Sequence, residues 1–146
     1  MGKLTIVMGI PGSGKSHYIE ENFKDRKVFD LYKYQVDYPI LGIEEVIESY
    51  EKIKEDVVKA LKDGEDVVME HTLLKAARRK PYLDAFREAT DEPIEIVLIN
   101  PPKKVIAERE KERKIFRGES SIDAELEILE VPTEKEGFDK ITIIEE

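Results

Sequence analysis

Five short apolar runs punctuate the chain, and between them apolar residues recur at helical spacing. The first run, Leu4 to Met8 (LTIVM), is rich in β-branched residues and stops at Gly9, which predicts a buried strand. A helix is predicted to begin near Lys15-Ser16 and to fade by Asn22. Lys27 to Tyr32 (KVFDLY) reads as a second strand. From 43 to 63, Ile43, Val46, Ile47, Tyr50, Ile53, Val57 and Leu61 fall on one helical face, and Gly64 supplies the stop. Residues 66–70 (DVVME) predict a third strand, and helical pattern resumes through 75–89, with Pro81 near the first turn of its main segment. Ile94 to Ile99 predicts a fourth strand, closed by Pro101-Pro102. Two helical stretches follow, at about 103–116 and 121–130, and residues 140–146 (KITIIEE) form a fifth strand.

Strand and helix thus alternate from end to end, which requires crossover connections and a parallel sheet with helices on both faces. The short, mostly apolar strands agree with a sheet covered on both sides. With no internal repeat, low-complexity tract or linker, residues 1–146 are read as a single α/β domain. Its three layers are arranged α/β/α around a parallel five-stranded sheet.

A chain of 146 residues buries an adequate core by itself, and the absence of Cys removes disulfides and thiolate zinc sites. The first apolar run is too short for a secretion signal, and no window approaches a membrane span, so a soluble, cytoplasmic protein is expected. Net charge is −9, which opposes broad binding to nucleic acid. The charge is uneven, however. Residues 41–70 carry ten acids against four bases and 118–146 ten against two, whereas 75–87 holds five bases against one acid and 103–117 seven against three. Two cationic segments in an acidic chain point to a local anion site, or else to solvated helix faces.

The strongest chemical signal is Gly9-Ile10-Pro11-Gly12-Ser13-Gly14-Lys15-Ser16, which satisfies G-x-x-x-x-G-K-[ST] directly between a predicted strand and a predicted helix. Glycines allow the backbone to curl so that its N–H groups converge, and the new helix adds its positive end. In such a loop Lys15 reaches the β- and γ-phosphates and the Ser16 hydroxyl coordinates Mg²⁺. ATP and Mg²⁺ are therefore the expected ligands, and the fold is of the P-loop nucleoside triphosphate hydrolase or kinase type. A guanine-reading N-K-x-D stretch is missing, and a compact chain with a late cationic helix fits a small kinase with an arginine lid.

Glu70 ends the third predicted strand, where a carboxylate beside the loop holds Mg²⁺ or orients a nucleophile; the alternative is a surface acid. His71 is a substrate contact or a structural imidazole. Asp30, at the end of the second strand, is an acceptor-side base or the residue that caps the turn. Arg113, with Arg109 or Arg117, has the planar fork that stabilises a transferring phosphoryl group, unless that helix is simply solvated. Arg78 and Arg79 are candidates for an anionic acceptor or for plain surface.

These residues resemble the small P-loop kinases grouped around the kinase domain of phage polynucleotide kinase, a family often described as a short AAA domain. The likeness spans nearly the whole chain: GIPGSGKS, the third strand with HTLLKAARRKPYL, ERE-KER, and the terminal VPTEKEGFDKITII. In that family the third strand ends in an Asp-Thr-Asn-like run followed by paired arginines; here His71-Thr72-Leu73 and Arg78-Arg79 stand there. The family's lid arginines, four apart, match Arg109 and Arg113, and the terminal loop is implied to wall the adenine site. The family's acid after the second strand is replaced by Tyr34-Gln35, with Asp30 and Asp37 close by.

The combined expectation is a Mg-dependent kinase passing the ATP γ-phosphate to a polynucleotide 5′-hydroxyl or a small metabolite. In it Lys15, Glu70, Asp30 and Arg113 are catalytic, Arg109 binds the nucleotide, and His71, Arg78 and Arg79 bind the acceptor. The alternative is a nucleotide-binding partner module with little transfer activity.

Overall fold

The structure, a computed structural model, describes residues 2–35, 42–112 and 119–146. Its element order is β1 (Leu4–Met8), α1 (Lys15–Asn22), β2 (Lys27–Asp30), α2 (Leu31–Gln35), α3 (Ile43–Lys62), β3 (Val67–His71), α4 (Ala76–Ala89), β4 (Ile94–Ile99), α5 (Lys103–Glu112), α6 (Glu119–Ile128), a 3₁₀ turn (Glu134–Glu136) and β5 (Lys140–Ile144).

All five strands run parallel in the order β2-β3-β1-β4-β5. The chain leaves β1 for β2 at one edge, returns through β3, and continues through β4 and β5 on the other side. β1 is therefore central, and the order switches beside it, which in open α/β sheets opens a crevice at the carboxyl ends of the strands.

Side-chain alternation sends each strand's residues to opposite layers. Leu4, Ile6 and Met8 join Val67, Met69 and Ile96 in the larger core, which α3 and α4 cover through fully buried Ile53, Val57 and Phe86. Each such aliphatic residue contributes roughly 1.5–3 kcal/mol by leaving water. Val7, Val68, Val97 and Ile99 face the other way and pack on Ile19 of α1. A third cluster joins Ile10 of the loop after β1 to Ile106 of α5 and Ile122 of α6, so those helices brace the loop.

Several details differ from the sequence expectation: among them, β5 ends at Ile144, not at 146, and α6 spans Glu119–Ile128, not about 121–130. The second strand stops at Asp30 and a short helix, α2, follows, because the Asp30 carboxylate accepts the Tyr32 N–H (2.9 Å) as a helix-capping acid does. The third strand runs one residue further, to His71. Pro81 lies in the sixth position of α4, beyond the first turn, where it removes one backbone bond. The terminal PTEKEG segment adds a 3₁₀ turn closed by a capping box between Thr133 and Glu136, with Gly137 left-handed at φ 104°.

Candidate active site

The loop after β1 needs its glycines for conformation and for close approach. Gly12 and Gly14 have φ of 84° and 105°, in the left-handed region that penalises any Cβ. A Cβ on Gly14 would also sit 2.7 Å from the Arg109 guanidinium. That guanidinium, carried by α5, donates a hydrogen bond to the Ser13 carbonyl and so fastens the loop from outside. Lys15 folds back over the same loop, donating to the carbonyls of Gly9 (2.9 Å) and Ile10 (3.2 Å). Ser16, at the start of α1, donates its hydroxyl proton to Glu70 Oε1 at 2.8 Å.

Strand register brings the acids together. Asp30 pairs with Glu70 across β2 and β3, and Glu70 pairs with Val7 across β3 and β1. Parallel in-register partners point to the same face, so the two carboxyl groups stand side by side over the start of α1. Burial pushes the Glu70 carboxyl above its ordinary range; the Ser16 hydrogen bond opposes this, the neighbouring Asp30 charge reinforces it, and Lys15 opposes it again. Two adjacent carboxylates at low exposure, with a hydroxyl beside them, are a donor set suited to a hard divalent cation such as Mg²⁺. These residues line a cleft of about 490 Å³ together with Gly12, Lys15, Tyr32 and Thr72.

One residue later, His71 points to the opposite face. It is 3 % exposed, and its ring sits between Tyr50 of α3 and Tyr82 of α4, at centroid distances of 5.0 and 5.1 Å. Nε2 lies 3.0 Å from the Tyr82 hydroxyl, while Nδ1 is buried with no hydrogen-bond partner. Burial first, and the Lys15 charge second, lower its pKa to about 3. His71 is thus a neutral imidazole at physiological pH.

That shift makes a stability prediction. The unfolded chain binds a proton at His71 near pH 6.5, whereas the folded chain resists it until about pH 3. Stability is full above the unfolded value and falls as pH drops below it, by about 2 kcal/mol at pH 5. Urea unfolding at pH 7 and pH 5 reads this loss as the difference in slope between the native protein and His71→Gln, a difference in which the opposite contribution of Glu70 cancels. An unchanged slope would mean that His71 is protonated in the folded protein.

The remaining expected residues fall into different places. Arg78 is exposed at the start of α4, on the wall of a neighbouring cavity. Arg79 is a correction to the expected acceptor-binding pair: it is 1 % exposed. Its guanidinium is spent on Glu136 (2.6 and 3.1 Å) and on the Leu73 carbonyl (2.8 Å). Consecutive helix residues point about 100° apart, so the paired arginines could not share a surface. Arg113 and Arg117 lie outside the described residues, as does Asp37.

Glu110 was not anticipated. It is 4 % exposed and lines the cleft, with its Cγ 3.5 Å from where a Cβ on Gly12 would stand. The signal was present in its position four residues after Ile106, on the buried face of α5, but the surrounding run of charges resembles a solvated surface. Tyr34 and Gln35, which replace the resembled family's acid, are engaged structurally: Tyr34 donates to Asp56 (2.7 Å) and Gln35 to Ser49 (3.1 Å), pinning α2 to α3.

Known structures share this architecture. A putative kinase from Chloroflexus aurantiacus J-10-fl superposes with a TM-score of 0.79 at 12% identity, covering 99% of this chain and 85% of that one. A gluconokinase from Sinorhizobium meliloti 1021 gives 0.67 at 22% identity, covering 99% and 82%. A chain of the Pnkp1/Rnl/Hen1 RNA repair complex gives 0.77 at 17% identity, covering 88% of this chain and 44% of that one, so this chain spans less than half of that protein's length. Such identities establish a common fold. No curated protein matches the sequence. No described helix is long and apolar enough to cross a membrane. The AAA domain family model matches residues 4–133, nearly the entire sheet and the whole of the cleft described above, and the chain belongs to that family of P-loop kinase-like proteins.

Proposed function

We propose that the protein is an ATP-dependent kinase of the cytoplasm that phosphorylates a hydroxyl group. The observation that carries this is the convergence of Ser16, Glu70 and Asp30 at the mouth of the phosphate loop, fixed by strand register. Holding Mg²⁺ beside a nucleotide calls on one of these carboxyl groups with the Ser16 hydroxyl, which leaves the second to take a proton.

Lys15 and the loop N–H groups would bind the triphosphate, with Arg109 steadying the loop from α5. Ser16 and Glu70 would hold Mg²⁺, which when bound offsets phosphate charge and keeps both carboxyl groups ionised. Asp30 would take the acceptor proton. In the transfer, the acceptor oxygen bonds to the γ-phosphorus, the bond from that phosphorus to the bridging oxygen breaks, the hydroxyl proton passes to Asp30, and ADP leaves.

Asp30→Asn tests the base assignment without disturbing α2, since Asn caps a helix about as well as Asp. It should lower kcat by at least about a hundredfold, the usual contribution of a general base, with the ATP affinity unchanged and a melting temperature no lower than that of the native protein, since the Asp30 charge no longer opposes ionisation of Glu70. A loss below about threefold would remove Asp30 from the mechanism.

The second reading, a nucleotide-binding partner module, is favoured by one observation: Tyr34 and Gln35 are committed to holding α2 against α3. Radiolabelled ATP incubated with alcohols, sugar acids and a 5′-hydroxyl oligonucleotide separates the two. If Lys15→Ala abolishes ATP binding yet the native protein phosphorylates none of them, the kinase reading fails.

A further inference from the structure

The nucleotide cleft is not isolated: His71 and Thr72 form part of its wall and also part of the wall of a second, larger cavity of about 700 Å³. This second cavity lies between the first turns of α3 and the first turns of α4. Ile43, Val46, Ile47 and Tyr50 form one side, Leu74 and Pro81 the other, and Ile128 of α6 contributes to the rim. Ile43, Ile47 and Ile128 are 78 %, 55 % and 44 % exposed, a set of large apolar side chains presented to solvent around one opening. Grouped exposed hydrophobics of this kind mark binding sites.

Resting on the kinase reading, we propose that this cavity seats the phosphate acceptor. We further propose that the acceptor is a small hydroxyl compound with an apolar ring or chain body and one anionic group, not a polynucleotide. Three observations carry the assignment. The volume is that of a small-molecule site, and its lining is mostly apolar, with Glu51, Lys54, His71, Thr72, Lys75 and Arg78 as its polar and charged members. The polar groups are distributed in a way that selects orientation. Nδ1 of His71, buried without a partner at the junction, is left to donate to or accept from a ligand, according to the tautomer that Tyr82 selects at Nε2, beside the cleft that holds Asp30 and Glu70. Lys75 and Arg78, also in the lining, are exposed and form no ion pair among the described residues, which suits one anionic group. Finally, a polynucleotide needs a succession of phosphate contacts. α3 instead presents Glu44, Glu48 and Glu55 beside the cavity and Glu51 in its wall, where Lys54 is already drawn to Glu51 at 3.2 Å.

The test uses 8-anilinonaphthalene-1-sulfonate, an apolar ring system with one anionic group, as a fluorescent probe of the full chain. Saturable probe binding is expected, with displacement by aryl-alcohol carboxylates and not by gluconate or a 5′-hydroxyl oligonucleotide. Ile47→Glu, which puts a charge at an exposed position of the rim, and Ala77→Trp, which fills the cavity, should each weaken probe binding at least tenfold. Both should leave the affinity for a non-hydrolysable ATP analogue unchanged. Absence of probe binding, insensitivity to both variants, or preferential displacement by the oligonucleotide or gluconate overturns the assignment. ADP release read in parallel separates the two claims. Aryl alcohols that displace the probe without becoming phosphorylated leave the cavity assigned and sink the kinase reading. Acceptors whose KM is untouched by Ala77→Trp do the reverse.

Discussion

Glu70→Gln is expected to melt at a higher temperature than the native protein while losing at least about a hundredfold in phosphotransfer. The two effects share a cause. Burial and the adjacent Asp30 hold the Glu70 carboxyl above its ordinary pKa, so ionising it in the fold costs free energy that the unfolded chain does not spend. A group raised in this way favours the folded state at low pH, and that contribution is lost as pH rises through the elevated value. The stability gain of the Gln variant should therefore appear at neutral pH and vanish at pH 4. Gln retains an acceptor for the Ser16 hydroxyl, so the local geometry survives. What it lacks is the negative charge that a bound divalent cation needs, and removing charge stabilisation of this kind typically costs 10²–10³ in kcat. The checks are a melting series from pH 4 to pH 8 and initial rates against Mg²⁺ concentration. A variant that melts lower at neutral pH, or that keeps its rate, would show that Glu70 is a structural acid.

The largest stability effect should come from Arg79→Ala. Arg79 is the bulkiest fully buried side chain of the described residues, and its fork bridges three parts of the fold: α4, the 3₁₀ turn through Glu136, and the segment after β3 through the Leu73 carbonyl. Truncation leaves Glu136 without its counter-charge, the Leu73 carbonyl without its donor, and a void in the core. Breaking a buried pair in this way costs about 3–5 kcal/mol, and the side chain of Glu136 is 15 % exposed, which favours the lower end. Burial opposes ionisation of Glu136, but the hydrogen bonds from Arg79 and the Thr133 N–H outweigh it and hold its pKa below the usual value. The stability contributed by that depressed carboxyl is present above the ordinary pKa and is lost as pH falls through the folded value, so the difference between native protein and variant should narrow in acid. Urea unfolding at pH 7 and pH 3.5 measures both. A loss under about 1 kcal/mol at pH 7 would mean that the pair adds little.

The Arg79 contacts also bear on function. Leu73 has φ 42°, the one left-handed non-glycine among the described residues, and its buried side chain and the Arg79 bond hold it there. It follows directly on His71-Thr72, the wall shared by the two cavities. Arg79→Lys, which keeps the charge but not the planar fork, should therefore raise acceptor KM more than it lowers kcat.

The sequence by itself determined the parallel α/β layering and the phosphate loop. Strand and helix periods differ, so alternation is visible in one dimension, and the loop's glycines, Lys15 and Ser16 are contiguous. Glu70 was also legible as a candidate, because an acid ending an apolar run contradicts its surroundings. Other assignments waited on the tertiary structure because they depend on facing. Neighbours in a strand point to opposite layers. Only the register could send Glu70 to Ser16 and Asp30 while burying His71 against Tyr50 and Tyr82. Likewise, Arg78 and Arg79 are adjacent in the chain yet separated by a hundred degrees of helix, one at a cavity wall and one in the core. Glu110 was hidden among like charges until the packing of Ile106 showed which face of α5 is buried. The larger cavity could not be read from the sequence at all, since its walls come from α3, α4 and α6, which meet only because the sheet between them fixes where each helix begins.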